Sequence, residues 1–122
     1  MSAKHVVVFD DSEIVLDLVS ACLESAGYDV STYEAPFVEA VTGSHHPSMV
    51  LVDINMQDTY GDDVVEFLKG TCQIACPVYL YSSIAEEELT WLQEKSGADG
   101  YVSKEWGMER LVESVRGAIG DP

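Results

Sequence analysis

Basic residues are scarce in this chain. Lys and Arg together number 6 against 22 Asp and Glu, a formal net charge of −16 over 122 residues. No basic surface is available to neutralise phosphates, which argues against nucleic acid and anionic membranes as partners. Also missing is any apolar run near the ~20 residues needed to cross a bilayer. The opening Met1-Ser2-Ala3-Lys4-His5 lacks a signal-peptide layout, because Asp10 and Asp11 interrupt the apolar stretch too early. The expected compartment is therefore the cytoplasm. Cysteine is sparse and odd in number (Cys22, Cys72 and Cys76), which fits reduced thiols rather than a disulfide framework. Cys72-x-x-x-Cys76 has neither a second Cys pair nor a nearby His to complete a zinc site. His45 and His46 are adjacent, so their side chains diverge on most backbones, and both are read as solvated.

What is present is a core. Hydrophobic residues make up 47% of the chain, too many for a disordered segment. The length suits one domain, and no internal repeat, low-complexity stretch or linker divides it. The acidic surplus is mostly a solvated surface. It also favours basic partner surfaces and fast, salt-sensitive encounter.

Along the chain, strand and helix signals alternate. His5 to Asp10 reads as a buried strand. Ser12 to Ala26 carries Ile14, Val15, Leu18, Val19, Cys22 and Leu23 at helical spacing, and Gly27 stops it. Tyr28 to Tyr33 alternates as a half-buried strand, and Pro36 to Val41 is a short helix ended by Thr42-Gly43. Met49 to Val52 is a second buried strand, followed by a helix over Asp62 to Lys69 closed by Gly70. Pro77 to Tyr81 is a strand with its proline at the tolerated first position. Glu86 to Lys95 is a helix whose first-turn glutamates complement its macrodipole. Tyr101 to Ser103 is a short strand, and Met108 to Ile119 is the last helix. Five βα units predict an α/β fold: a doubly wound, five-stranded parallel sheet of order 2-1-3-4-5, as in flavodoxin-like proteins. Ligands then bind beyond the carboxyl ends of the strands, at the switch between strands 1 and 3.

That edge receives a chemically coherent set. Asp10 and Asp11 follow the first strand, Asp53 the third, Ser82 the fourth and Lys104 the fifth. Carboxylates a few ångströms apart repel strongly in a partly desolvated pocket unless a cation joins them. Oxygen-rich clusters of this kind suit Mg2+, which draws in a phosphoryl group. Lys104 adds a second positive charge, the Ser82 hydroxyl a hydrogen bond, and Asp53 a carboxylate able to become an acyl phosphate. Taken singly, Asp11 and Ser12 read as helix caps, Asp53 as a strand end, Lys104 as a surface lysine, and Ser82 or Ser83 as a cap of the next helix. The joint placement at one edge is what favours the functional reading.

The chain resembles the receiver domain of bacterial two-component response regulators over essentially its whole length, as a single receiver domain spanning 1–122 with no effector domain of its own. The resemblance rests on Phe9-Asp10-Asp11-Ser12, on Val50-Leu51-Val52-Asp53-Ile54-Asn55-Met56, on Gly61, on Pro77 to Ser83, and on Gly97 to Lys104. It implies that Asp53 accepts a phosphoryl group from a sensor histidine kinase or phosphotransfer protein. Asp11 would bind Mg2+ directly, Asp10 through water, and Asn55 through its backbone carbonyl. Ser82 takes the place of the switch hydroxyl, Lys104 that of the phosphate-binding lysine, and Tyr101 that of the aromatic switch. Such domains catalyse only their own phosphorylation and dephosphorylation. They pass the signal to a protein output partner, or to a phosphorylation-dependent homodimer, through the face of the fourth helix, fifth strand and fifth helix.

The sequence departs from that pattern in places. Glu105 follows Lys104 where the family usually has proline, so a trans Lys104–Glu105 bond is expected. Gln57 stands where proline commonly follows Met, which predicts a less rigid loop after Asp53. Ser83 replaces a small apolar residue. Trp91 is expected to be partly packed, and Trp106 lies near the output face. Three alternatives stay open at this point: a pseudo-receiver acting as a constitutive interaction domain, an aspartate-nucleophile phosphohydrolase, and a flavin carrier. The phosphohydrolase lacks a second aspartate two residues after Asp53, and Asp10-Asp11 would repel a flavin phosphate.

Overall fold

The computed structural model describes residues 3–42, 46–56 and 59–122. In chain order the elements are β1 (His5–Phe9), α1 (Glu13–Ser25), β2 (Asp29–Tyr33), a 3-10 turn (Val38–Ala40), β3 (Met49–Asp53), β4 (Asn55–Met56) and β5 (Thr59–Tyr60). There follow α2 (Gly61–Glu66), a π-helical turn (Phe67–Thr71), β6 (Val78–Ser82), α3 (Glu86–Ser96), β7 (Gly100–Ser103), a 3-10 turn (Lys104–Trp106) and α4 (Met108–Ile119). The main sheet is parallel throughout, in the order β2-β1-β3-β6-β7. This is the expected 2-1-3-4-5 order, counted over the five βα units.

Every residue of β3 is buried, as its run of β-branched and apolar residues requires of a strand covered on both faces. Alternation sorts the side chains. Val6, Val8, Met49, Leu51, Tyr81 and Val102 face α1 and α4, through Leu16, Val19, Leu23, Leu111 and Val115. Val7, Phe9, Val50, Val52, Val78 and Leu80 face α2, the π turn and α3, through Val64, Val65, Leu68 and Leu89. Ser12 caps α1, its hydroxyl accepting from the Val15 N–H at 3.3 Å.

Three elements differ from expectation. The helix expected over Pro36 to Val41 is only the turn Val38–Ala40, with no side-chain cap at Phe37. So short a segment does not repay helix nucleation, and the Thr42 hydroxyl donates to the Val38 carbonyl at 2.9 Å, taking the acceptor a longer helix would use. The helix expected to close at Gly70 instead widens into the π turn, where the Cys72 N–H donates to the Phe67 carbonyl at 2.9 Å. The chain then reverses through Gln73 at φ 53°. The ladder β4–β5, antiparallel, is too short to leave an alternating signal. No described peptide bond is cis, so Lys104–Glu105 is trans as expected. Cys22, Cys72 and Cys76 are free and half-buried, and His46 is exposed. The loop expectation for Gln57, the solvation of His45 and the first two residues lie outside the described residues. No helix among the described residues is long and apolar enough to cross a membrane.

Candidate functional site

The strand ends deliver the acidic residues together. Asp10 follows β1 directly, is fully buried, and donates its backbone N–H to the Tyr33 carbonyl at 3.1 Å. Its Oδ1 accepts the Ser12 N–H at 2.9 Å, which turns the chain into α1. Asp11, between them, is exposed. Asp53 ends β3, 5% exposed, opposite Tyr81 of β6. One carboxylate oxygen from each of Asp10, Asp11 and Asp53 lies within 4.8 Å of the others. Lys104 reaches in from the end of β7. Its Nζ is 2.7 Å from Asp10 Oδ2 and 3.4 Å from Asp53 Oδ1, so its nearer partner is the buried Asp10.

Burial and the Asp10 carboxylate push Asp53 up to about 6; Lys104 and the Asn55 backbone N–H pull the other way without cancelling them. Asp10 Oδ2 is buried and, despite its ionic contact with Lys104, accepts no aligned hydrogen bond. Three carboxylates against one ammonium leave an excess of negative charge that a divalent cation would cancel. The hard oxygen donors and the orphaned Asp10 oxygen fit Mg2+ on chemical grounds.

Two supporting residues show their physical roles only in three dimensions. The Gly61 N–H donates to the Ile54 carbonyl at 2.7 Å, and a Cβ on Gly61 would lie 2.1 Å from the Asp53 carbonyl oxygen. The start of α2 can therefore approach the acceptor only with glycine there. Tyr81 is 1% exposed, and Lys104 Nζ stands 5.3 Å from the centre of its ring. Burial, Asp10, Asp53 and Cys22 push the Tyr81 hydroxyl up to about 12. In the sequence Tyr81 appears only as the aromatic residue just before Ser82, and Gly61 only as one of the residues that carry the family resemblance.

Ser82 is buried at the same edge, one residue beyond Tyr81, and its hydroxyl accepts from the Ile84 N–H at 3.3 Å. Asn55, beyond β3, is exposed. Tyr101 is half-buried on the α3 side, accepting from the Thr90 hydroxyl at 3.4 Å, with its ring 5.8 Å from that of Trp106. Trp106 is half-buried; its indole N–H donates to Glu86 at 3.4 Å and Arg110 covers the ring at 4.1 Å. The expectation for Trp91 is corrected: the side chain is 60% exposed. It follows buried Leu89 by two positions, which turns it to the opposite side of α3, where Lys95 Nζ lies 5.2 Å from the ring.

A family model for the response regulator receiver domain matches residues 6–116. The chain belongs to that family. This receiver domain is 25% identical over 120 residues to the polar-differentiation response regulator DivK of Brucella ovis, an alignment covering 97% of this chain and 98% of DivK. Its fold is similar to the chemotaxis protein CheY4 of Vibrio cholerae, with TM-score 0.83 and 22% identity over 96% of this chain and 99% of that one. The CheY-like receiver domain protein of Methanospirillum hungatei gives TM-score 0.82 and 22% identity over 97% and 94%. Membership places the chain in a signalling family and sets aside the phosphohydrolase and flavin-carrier readings.

Proposed function

We propose that this receiver domain accepts a phosphoryl group on Asp53 from the phosphohistidine of a sensor histidine kinase or phosphotransfer protein. The observation that carries the reading is the Asp10, Asp11 and Asp53 cluster with the Lys104 ammonium set among its oxygens. An Asp53 oxygen attacks phosphorus. The O–P bond forms as the N–P bond breaks; the electron pair of the N–P bond goes to the departing nitrogen, and the imidazole leaves neutral with a proton on its other ring nitrogen. Asp11, Asp53 and the Asn55 carbonyl would hold Mg2+, with Asp10 behind through water. When bound, Mg2+ offsets the negative charge spread over the phosphoryl oxygens. Lys104 pairs with the new dianion, and the Ser82 hydroxyl leaves the Ile84 N–H to donate to a phosphoryl oxygen. Water later cleaves the acyl phosphate and returns the free carboxylate.

Output runs through α3, β7 and α4, with Tyr101 as the aromatic switch: a population shift driven by the new charge. The exposed Trp91, with Glu86, Glu87, Glu88 and Glu94 on its helix, suits a basic protein partner in the cytoplasm. Incubation with Mg2+ and a small acyl phosphate, read by intact mass, tests the reading. Wild type gains one phosphoryl group and Asp53→Asn gains none. An unchanged wild-type mass would mean a constitutive interaction domain, and an equal gain in both proteins a different acceptor.

A further inference from the structure

We propose that Tyr81 is a positioning residue: its ring holds the Lys104 ammonium over the acceptor carboxylate. The proposal rests on Asp53 being the phosphoacceptor. Among the described residues, Lys104 Nζ lies 2.7 Å from Asp10 Oδ2, 3.4 Å from Asp53 Oδ1 and 5.3 Å from the Tyr81 ring centre. The last distance is within the range at which an ammonium is attracted to an aromatic face. The strand register leaves little choice of position, since Tyr81 is paired with Asp53 on one side and with Val102 on the other. The ring is packed among the residues facing α1 and α4, so it is fixed in place.

This chain has a particular use for such a hold. Glu105 stands after Lys104, so no proline ring fixes the backbone there. Within the 3-10 turn the Ser103 hydroxyl also accepts the Glu105 N–H, at 3.2 Å. The direction of the Lys104 side chain is then set by what its far end touches. Asp10 alone would draw the ammonium to the buried carboxylate and away from the acceptor. An uncharged aromatic face gives it a further attraction without adding negative charge.

A double-mutant cycle separates this role from packing. Phosphorylation by a small acyl phosphate with Mg2+ is timed for wild type, Tyr81→Phe, Tyr81→Leu, Lys104→Ala and the Tyr81→Leu/Lys104→Ala pair, and urea midpoints establish that each is folded. Tyr81→Phe, which keeps the ring, should stay within about twofold of wild type, and Tyr81→Leu should slow about tenfold. In the Lys104→Ala background the leucine change should matter by less than about twofold. Equal slowing in both backgrounds, or a phenylalanine variant as slow as leucine, overturns the proposal. If leucine prevents folding, Tyr81→Met fills the space without a π face. If wild type takes no phosphoryl group, the proposed function has failed, and the contact is judged on Mg2+-free urea midpoints: non-additive shifts support it and additive ones contradict it.

Discussion

Asp53 pays electrostatically for its position, and that gives the residue a measurable signature. Its folded carboxyl holds a proton up to about pH 6, whereas an unfolded aspartate releases its own near ~3.9. Between those values the folded state binds more protons, so ion-free stability falls as pH rises from about 4 to 6. The stability of wild type relative to Asp53→Asn, read from urea midpoints, should therefore decrease with pH across that range, and a rising or flat difference would contradict the assignment. Asp53→Asn removes the buried charge and should raise ion-free stability at pH 7 by about 1–2 kcal/mol, read by the same denaturation. Gly61→Ala tests the opposite kind of constraint. Its Cβ would meet backbone at 2.1 Å, with no flexible side chain to yield, so it should destabilise by about 2–3 kcal/mol. The acceptor was legible as a carboxylate ending an apolar run. The need for glycine eight residues later was not, because it arises from a close approach between chain segments.

At the level of elements, legibility followed length and periodicity. α4 falls where its apolar spacing puts it, and α1 lies within a residue of its caps. Between β2 and β3 an uncapped segment with a competing threonine hydroxyl gave a turn where apolar content suggested a helix. The π turn after Glu66 was hidden too, since the residues that widen it read as ordinary helix formers ahead of a glycine stop. Leu111 on α4 is fully buried against the sheet. Leu111→Ala should cost about 2–5 kcal/mol of stability, measured by urea unfolding. Arg110, one residue earlier, is exposed over the Trp106 ring, and Arg110→Ala should change stability by less than about 1 kcal/mol. A comparable loss at both positions would mean that α4 is not held chiefly through its apolar face.

The molecule as a whole brings distant strand ends to one edge, and this is why four short motifs, each ambiguous alone, carried a joint meaning. The Lys104 contacts with Asp10 and Tyr81 were beyond sequence reasoning, since they depend on where a long side chain comes to rest. The net charge of −16 acts at the same scale. Association with a basic partner should slow as salt rises, since the Debye length shrinks from about 10 Å at 0.1 M to about 3 Å at 1 M. A stopped-flow rate insensitive to salt would remove charge from the account of partner choice. The most direct test of the central claim is the chemical location of the phosphoryl group. Protein phosphorylated with Mg2+ and a small acyl phosphate is reduced with borohydride, which converts an aspartyl phosphate to homoserine, and the peptides are mapped. Homoserine at position 53 alone is the predicted result; homoserine elsewhere, or none in a protein that gained phosphate, would contradict it.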